Sequence, residues 1–286
     1  MGAAYHSTKF TLYIEPQVFL NRVQYDTFLR RQAEDATAFI GAKDVSILFE
    51  ENGGLRPSLE VIEESTLIGL LRSARNPRRL EIYSNANITQ GVLEPVGMVG
   101  YQTFIELNNI ANLHSLSNFF RGSGFRGISN APPCMLSYSI GSETYKAIYL
   151  PPIVEIMPKE RFSRALATAQ ARLENGDELE IQSVDGAAVK TTLKEFVQNA
   201  RSLIENSVNG GIPEIVDGTH RATSASISGA LINYVRIEGS TKVAPGIPIS
   251  LRDVIFAKEK PLKRQDRFLG LNEEGWTSLK EIGVDG

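Results

Sequence analysis

The segment IVDGTHRATSA, residues 215–225, combines residue types that can hold an anion. An apolar run ends in Asp217 and Gly218, and a threonine, His220 and Arg221 follow before a series of small residues. Glycine permits a tight turn and a close approach by a ligand, and a guanidinium is a planar donor suited to phosphate. The N-terminus of a helix adds unpaired N–H groups and a partial positive charge. This order of strand, turn and helix therefore predicts a phosphate-binding site.

A structural interpretation of the same residues stays open beside the functional one. Asp-Gly is a common turn in proteins of every kind. In that interpretation Asp217 and Gly218 only reverse the chain, His220 caps or packs, and Arg221 is solvated. Thr219 is expected at or near the N-cap of the following helix in both interpretations.

The string IVDGTHRATSA resembles the signature turn of the ParB/sulfiredoxin-like superfamily, whose members carry variants of D-G-x-H-R between a strand and a helix. The strand-like INYVRIEG at 232–239 and the amphipathic segment at 193–206 keep the family's order of elements around that turn. The resemblance is confined to the C-terminal half. Position 219 is threonine, so the cysteine chemistry of sulfiredoxins is not expected, and no helix-turn-helix is recognisable after the turn.

The resemblance implies a role for each residue of the turn. The backbone of Gly218 and Thr219 would cradle a nucleotide phosphate, and the side chains of His220 and Arg221 would contact phosphates. Asp217 would brace the turn or a metal ion. The implied cofactors are ATP or CTP together with Mg²⁺.

The implied activity is that of an enzyme that hydrolyses or transfers a phosphoryl group, with a small-molecule phosphoryl acceptor as a further partner. His220 and Asp217 are its candidate catalytic residues. Glu155, in LPPIVEIMP, is a third candidate, since a strand carboxylate that faces an anion site can act as a base. A surface carboxylate at a strand end is the alternative for Glu155.

A nucleotide-gated nucleic-acid-binding protein, or a nuclease of the ParB-like class, is the second functional hypothesis. Basic residues for it occur in the glycine-rich loop RGSGFRG, with Arg121 and Arg126, and in the basic run at 258–267. Both are also typical of solvated surface segments. The net charge of −3 provides no overall attraction to polyanions, so any such binding depends on local patches.

Composition narrows the class of protein further. The 286 residues are 42% hydrophobic and 22% charged, as in globular proteins. No run of 18 uncharged apolar residues occurs, so a membrane span is not expected. The single cysteine, Cys134, excludes an internal disulfide, predicts a cytoplasmic protein, and is expected to be an inert thiol. The three histidines do not have zinc-type spacing, and no metal ligand is assigned.

The pattern of elements predicts an α+β fold, a small mixed sheet with packed helices. We divide the chain into an α/β region of unknown role at 1–140 and a ParB-like nucleotide-binding domain at 141–286. Helices are predicted at 21–42, 61–75, 100–120, 159–176, 193–206 and directly after Gly218. Strands are predicted at 10–14, 45–51, 80–84, around 135–158, in a hairpin at Asp185-Gly186, before Asp217, and at 232–239.

Overall fold

The structure, a computed structural model, describes most of the chain from residue 85 onward and parts of the sequence before it. The described residues are 3–6, 11–14, 58–72, 85–140, 143–149, 151–181, 192–207, 211–241, 244 and 246–271. Several predicted elements lie outside them: the helix at 21–42, the strands at 45–51 and 80–84, and the hairpin at Asp185-Gly186.

The elements are numbered in chain order. The strands are β1 (Ala3–His6), β2 (Thr11–Ile14), β3 (Ser58–Val61), β4 (Asn87–Leu93), β5 (Val99–Gly100), β6 (Phe104–Glu106), β7 (Cys134–Ile140), β8 (Glu143–Tyr149), β9 (Ile153–Met157), β10 (Ile212–Asp217), β11 (Ile232–Glu238), β12 (Ile249–Ser250) and β13 (Ile255–Ala257). The α-helices are α1 (Glu64–Arg72), α2 (Leu107–Gly122), α3 (Ser163–Glu174), α4 (Leu193–Asn206), α5 (Thr219–Ile227) and α6 (Arg264–Arg267). Short 3-10 helices span Pro95–Gly97, Ile128–Asn130 and Lys159–Phe162. In the described part of the chain, no helix combines the length and apolar character that a membrane crossing needs.

The chain forms two compact units, each made of two stretches of sequence. The first comprises Met1–Ser84 and Ala111–Pro151, and the second comprises Asn85–Ile110 and Pro152–Gly286. In the first unit, β3, β7 and β8 form an antiparallel sheet in that order, and β1 pairs with β2. The division at residue 140 and the roles given to its two halves stay predictions.

The second unit contains a six-stranded mixed sheet in the order β12-β5-β10-β9-β11-β4. The pairs β5–β10 and β9–β11 are parallel, and the remaining neighbours are antiparallel. A separate parallel pair joins β6 to β13. The predicted α+β class with a small mixed sheet is thereby confirmed.

Side chains alternate between the two faces along each strand, so the six-stranded sheet has two faces to cover. A helix covers each of them. Ala222 and Ala225 of α5 share a core with Val154 and Ile215 on one face. On the opposite face, Met157 and Ile212 share a core with residues that include Phe162, and the second half of α4 packs against it through Leu203 and Ile204. The sheet therefore separates α5 from α4.

Local sequence signals define α4 well. The Thr192 hydroxyl accepts a hydrogen bond from the Glu195 N–H (3.2 Å), and the Glu195 carboxylate accepts one from the Thr192 N–H (2.6 Å). This is the capping box that the spacing of these two residues predicts. Phe196, Val197 and Ala200 of its apolar face are buried, as the helical spacing indicates.

The prediction of one helix over 100–120 is wrong at its N-terminal end. Phe104–Glu106 forms β6 instead, and α2 begins at Leu107 and continues to Gly122. The reason is tertiary: Phe104 and Ile105 are buried and pair in parallel with β13. The predicted helix at 61–75 is likewise wrong at its N-terminal end, because Val61 ends β3 and α1 begins at Glu64, and residues 73–75 lie outside the described part of the chain.

Cys134, the first residue of β7, is fully buried, and its thiol donates a hydrogen bond to the Pro132 carbonyl oxygen (2.9 Å). Burial raises the pKa of this thiol to about 12. Since the thiolate is the reactive form, the side chain is inert at neutral pH, as expected from the sequence.

We expect the Cys134 thiol to resist a disulfide reagent at pH 8 in the native protein and to react at once in guanidinium chloride. Because the pKa is raised, native reactivity should keep increasing with pH beyond the value near 9 at which an unperturbed thiol is half ionised. Absorbance of the released thiol measures the rate. A native rate equal to that of an unfolded control would contradict this expectation.

Candidate functional site

Gly218 forms the turn between β10 and α5 in a left-handed conformation, with φ 90° and ψ 24°. Only glycine adopts such a φ without strain. Gly218 is the N-cap of α5, and Thr219 is the first helical residue. Thr219 thus lies next to the N-cap, within the expectation of a position at or near it, and the N-cap residue makes no side-chain capping hydrogen bond.

The Arg221 side chain folds back over the turn. A Cβ atom placed on Gly218 would lie 2.7 Å from Arg221 Nη2, 3.0 Å from Arg221 Nε and 2.9 Å from Pro152 Cα. Arg221 is only 4% exposed, so the interpretation of a solvated arginine is wrong. The missing side chain at Gly218 leaves the space that this guanidinium occupies.

The electrostatics of the turn favour an anion. The partial positive charge of the α5 N-terminus and the Arg221 guanidinium lie at the same place, and the first turn of α5 contains no acidic residue. Arg221 also has an interaction within the protein. A negatively charged ligand would interact favourably with both charges.

The segment Gly100–Glu106 holds the turn in position. The Tyr101 hydroxyl donates to the Val216 carbonyl oxygen (2.9 Å), just before Asp217. The Thr219 methyl group packs against Gly100, where an added Cβ would be 3.3 Å from it. The backbone of Pro152 also lies close to Gly218, and these contacts together hold the turn in place.

His220 has a defined hydrogen bond to this segment. Its Nε2 atom accepts from the Glu106 N–H at 3.3 Å. A ring nitrogen that accepts in this way carries no proton itself.

Glu155 lies in β9, directly opposite Glu214 of β10 in the antiparallel register. Both side chains are buried, at 1% and 0% exposure, so Glu155 is not the surface carboxylate of the alternative interpretation. They lie on the sheet face away from α5, since Val154 and Ile215 occupy the face that α5 covers. The structure brings Glu155 to a second carboxylate that the sequence analysis did not select.

Asp217 is the last residue of β10. Its backbone pairs with Ile153 after an irregularity in the register between Ile215 and Asp217. Its side-chain placement lies outside the described part of the structure. Among the described residues, no group of three or more His, Cys, Asp and Glu side chains could hold a metal ion.

Arg121 and Arg126 are exposed at the end of α2 and in the following loop. Arg121 Nη1 donates to the Asn118 side chain (2.9 Å). Phe125, between the two arginines, packs edge-on against Phe120 with a centroid separation of 6.0 Å. Its ring thus packs on Phe120 of α2, and nucleic-acid contact through the two arginines stays a prediction.

The basic run at 258–267 is partly used in structural contacts. Lys263 Nζ donates to the Glu180 carboxylate (2.6 Å), and this hydrogen bond raises the pKa of the lysine. Arg267 is buried, and its guanidinium donates to the Pro261 carbonyl oxygen. Three further cations are exposed: Lys258, Lys260 and Arg264.

The sequence analysis missed the residues that position the turn. Tyr101 and Glu106 contact residues more than one hundred positions away, and no local pattern indicates such contacts. Glu214 had a detectable signal, since it is a charged residue inside the apolar segment IPEIV. Comparisons of the chain with protein-family models, with curated proteins and with solved structures gave no match.

Proposed function

We propose that the turn Gly218–Arg221 binds the phosphate of a nucleotide, and that the protein hydrolyses or transfers a phosphoryl group at this site. The observation that carries the proposal is the buried Arg221 guanidinium folded over a left-handed glycine at the N-terminus of α5. The resemblance of this turn to that of the ParB/sulfiredoxin-like superfamily points to the same ligand class.

The physical argument concerns charge and preorganisation. A guanidinium and the free N–H groups of a helix start both interact best with an oxyanion. The contacts of Tyr101 and Pro152 hold the turn before a ligand arrives, so little ordering entropy has to be lost on binding. Such a site suits the charged oxygens of a di- or triphosphate.

The same groups suit phosphoryl transfer, in which catalysis consists mainly of positioning and charge stabilisation. Arg221 and the turn amides would stabilise the negative charge on the transferred group. His220 would contact a phosphate oxygen, and Asp217 would stabilise the turn or a Mg²⁺ ion that accompanies ATP or CTP. Glu155 lies on the sheet face away from α5, so the proposal does not use its carboxylate as the base.

Calorimetric titration with ATP, ADP, CTP and GTP in the presence of Mg²⁺ tests the proposal. We expect at least one nucleotide to bind the wild-type protein and Arg221→Met to weaken that binding about tenfold or more, because a charge-assisted hydrogen bond contributes roughly 1.5–3 kcal/mol. Arg221→Lys keeps the charge without the planar fork and should bind with intermediate affinity.

Arg161→Met provides the matched control. Arg161 lies in the same unit, and its guanidinium donates to the Ser240 carbonyl oxygen (2.7 Å). Its removal should leave nucleotide affinity unchanged, and thermal unfolding will show that each variant is folded. Absence of binding to the wild-type protein at millimolar nucleotide, or an equal loss in both arginine variants, would overturn the proposal.

A further inference from the structure

A cavity of about 520 Å³ that is widely open to solvent lies in the second unit, beside α4 and the strands β5 and β10. Its lining includes the polar face of α4, with Asn199, Ser202 and Asn206, and the turn from Ser250 to Asp253. The volume falls within the range of roughly 300–1,000 Å³ that is typical of small-molecule sites. The cavity is therefore large enough for a ligand of its own.

This cavity is distinct from the Gly218 turn. Ile212, at the start of β10, lines it, whereas Asp217, at the end of β10, leads into the turn. At a rise of about 3.3 Å per residue, the two ends of this strand are about 16 Å apart. The cavity also lies beside α4, on the sheet side opposite to α5.

The charge at the cavity is opposite to that at the turn. Asp253 is the charged side chain among its lining residues. The last turn of α4 also contributes to the lining, and it carries the negative end of the helix dipole without a basic residue to compensate it. Both features attract a cation and repel a phosphate.

The remaining lining groups favour a hydroxylated ligand. Serine hydroxyls and asparagine amides can each donate and accept hydrogen bonds. The Asn199 amide donates to Asp253 Oδ2 (3.1 Å), which orients both side chains at the cavity. Val99, Ile212 and Pro213 add an apolar surface on which the C–H face of a small ring can pack.

We propose that this cavity binds a small hydroxylated organic cation of the amino-sugar type. Its ammonium group would pair with Asp253 near the C-terminal end of α4. Its hydroxyls would exchange hydrogen bonds with Asn199, Ser202 and Asn206, and its ring would lie against the apolar surface.

Titration of the full chain with glucosamine and with glucose at low ionic strength tests this proposal, because the two sugars differ in the ammonium group. We expect glucosamine to bind in the millimolar range and glucose to bind at least fivefold more weakly. Asp253→Asn should reduce glucosamine affinity about fivefold, whereas Glu259→Gln removes an exposed charge that does not line the cavity and should have no effect.

Ser202→Leu gives a second variant, since Ser202 is exposed on α4 and a leucine there would fill the cavity without removing a hydrogen bond that holds the fold. It should abolish glucosamine binding with unchanged thermal unfolding. Failure of glucosamine to bind, equal binding of glucose, or unchanged binding by both Asp253→Asn and Ser202→Leu would overturn the proposal. Nucleotide binding at Arg221 is measured separately, and neither result decides the other.

Discussion

Replacement of Gly270 by alanine is expected to lower the unfolding free energy by about 3–5 kcal/mol, a value at the upper end of single-substitution effects. Gly270 has a φ of 79°, which L-residues rarely adopt. An added Cβ would overlap the Ala165 carbonyl oxygen and would lie 2.7 Å from the Ala165 carbonyl carbon and 3.0 Å from its Cα. Because all three atoms belong to the backbone of α3, no side-chain rotation relieves the overlap, and overpacking adds to the backbone strain.

The variant Gly229→Ala separates the cost of backbone strain from the cost of steric overlap. Gly229 follows α5 with a φ of 62°, and nothing lies within 4 Å of an added Cβ. The substitution therefore carries the strain of a left-handed alanine without an overlap, and we expect a cost of about 1 kcal/mol. Denaturant unfolding of both variants measures the difference. Equal costs would mean that Gly270 is needed only for its φ and that α3 yields to the added methyl group.

The parts of the fold that the sequence predicted correctly are determined by local interactions. The capping box of Thr192 and Glu195 and the apolar face after it specify α4 within fifteen residues. The strand, glycine and helix order around Gly218 is likewise local, since it follows from turn chemistry and small helical residues. β6 was missed because its partner β13 lies far along the chain. Pairing with that strand determines the structure of Phe104–Glu106 more strongly than the local helical pattern of 100–120 does.

The candidate site shows the same limit. The positions of Gly218 and Arg221 at a helix start could be expected from residue types alone. The burial of Arg221 and the hydrogen bond between Glu106 and His220 could not, because both depend on how distant segments pack. The run of cations at 258–267 is typical of a solvated segment, but Asp266 within this run is completely buried.

Loss of the Asp266 carboxylate is expected to have the second large effect on stability. Asp266 Oδ1 accepts from Arg172 Nη2 (2.8 Å), and Oδ2 accepts from the Glu180 N–H (3.2 Å). Its backbone carbonyl accepts from the Thr103 hydroxyl (2.5 Å), which a substitution leaves in place. Removing this buried carboxylate leaves the Glu180 N–H without its acceptor and leaves Arg172 with the half-exposed Asp177 as its ionic partner, so Asp266→Ala should cost about 3 kcal/mol.

Asp177 allows the contribution of a buried ion pair to be compared with that of an exposed one, because Arg172 Nε also contacts Asp177 Oδ2 (3.2 Å). The Asp177 side chain is 43% exposed, whereas that of Asp266 is fully buried. Asp177→Ala should therefore cost less than about 1 kcal/mol although it removes the same charge from the same arginine. Asp266→Asn, which keeps an acceptor for Glu180 without the charge, should fall between the two alanine variants. If the two alanine variants unfold at the same denaturant concentration, Asp266 does not anchor this segment, and the contacts of the backbone around Thr103 must hold it instead.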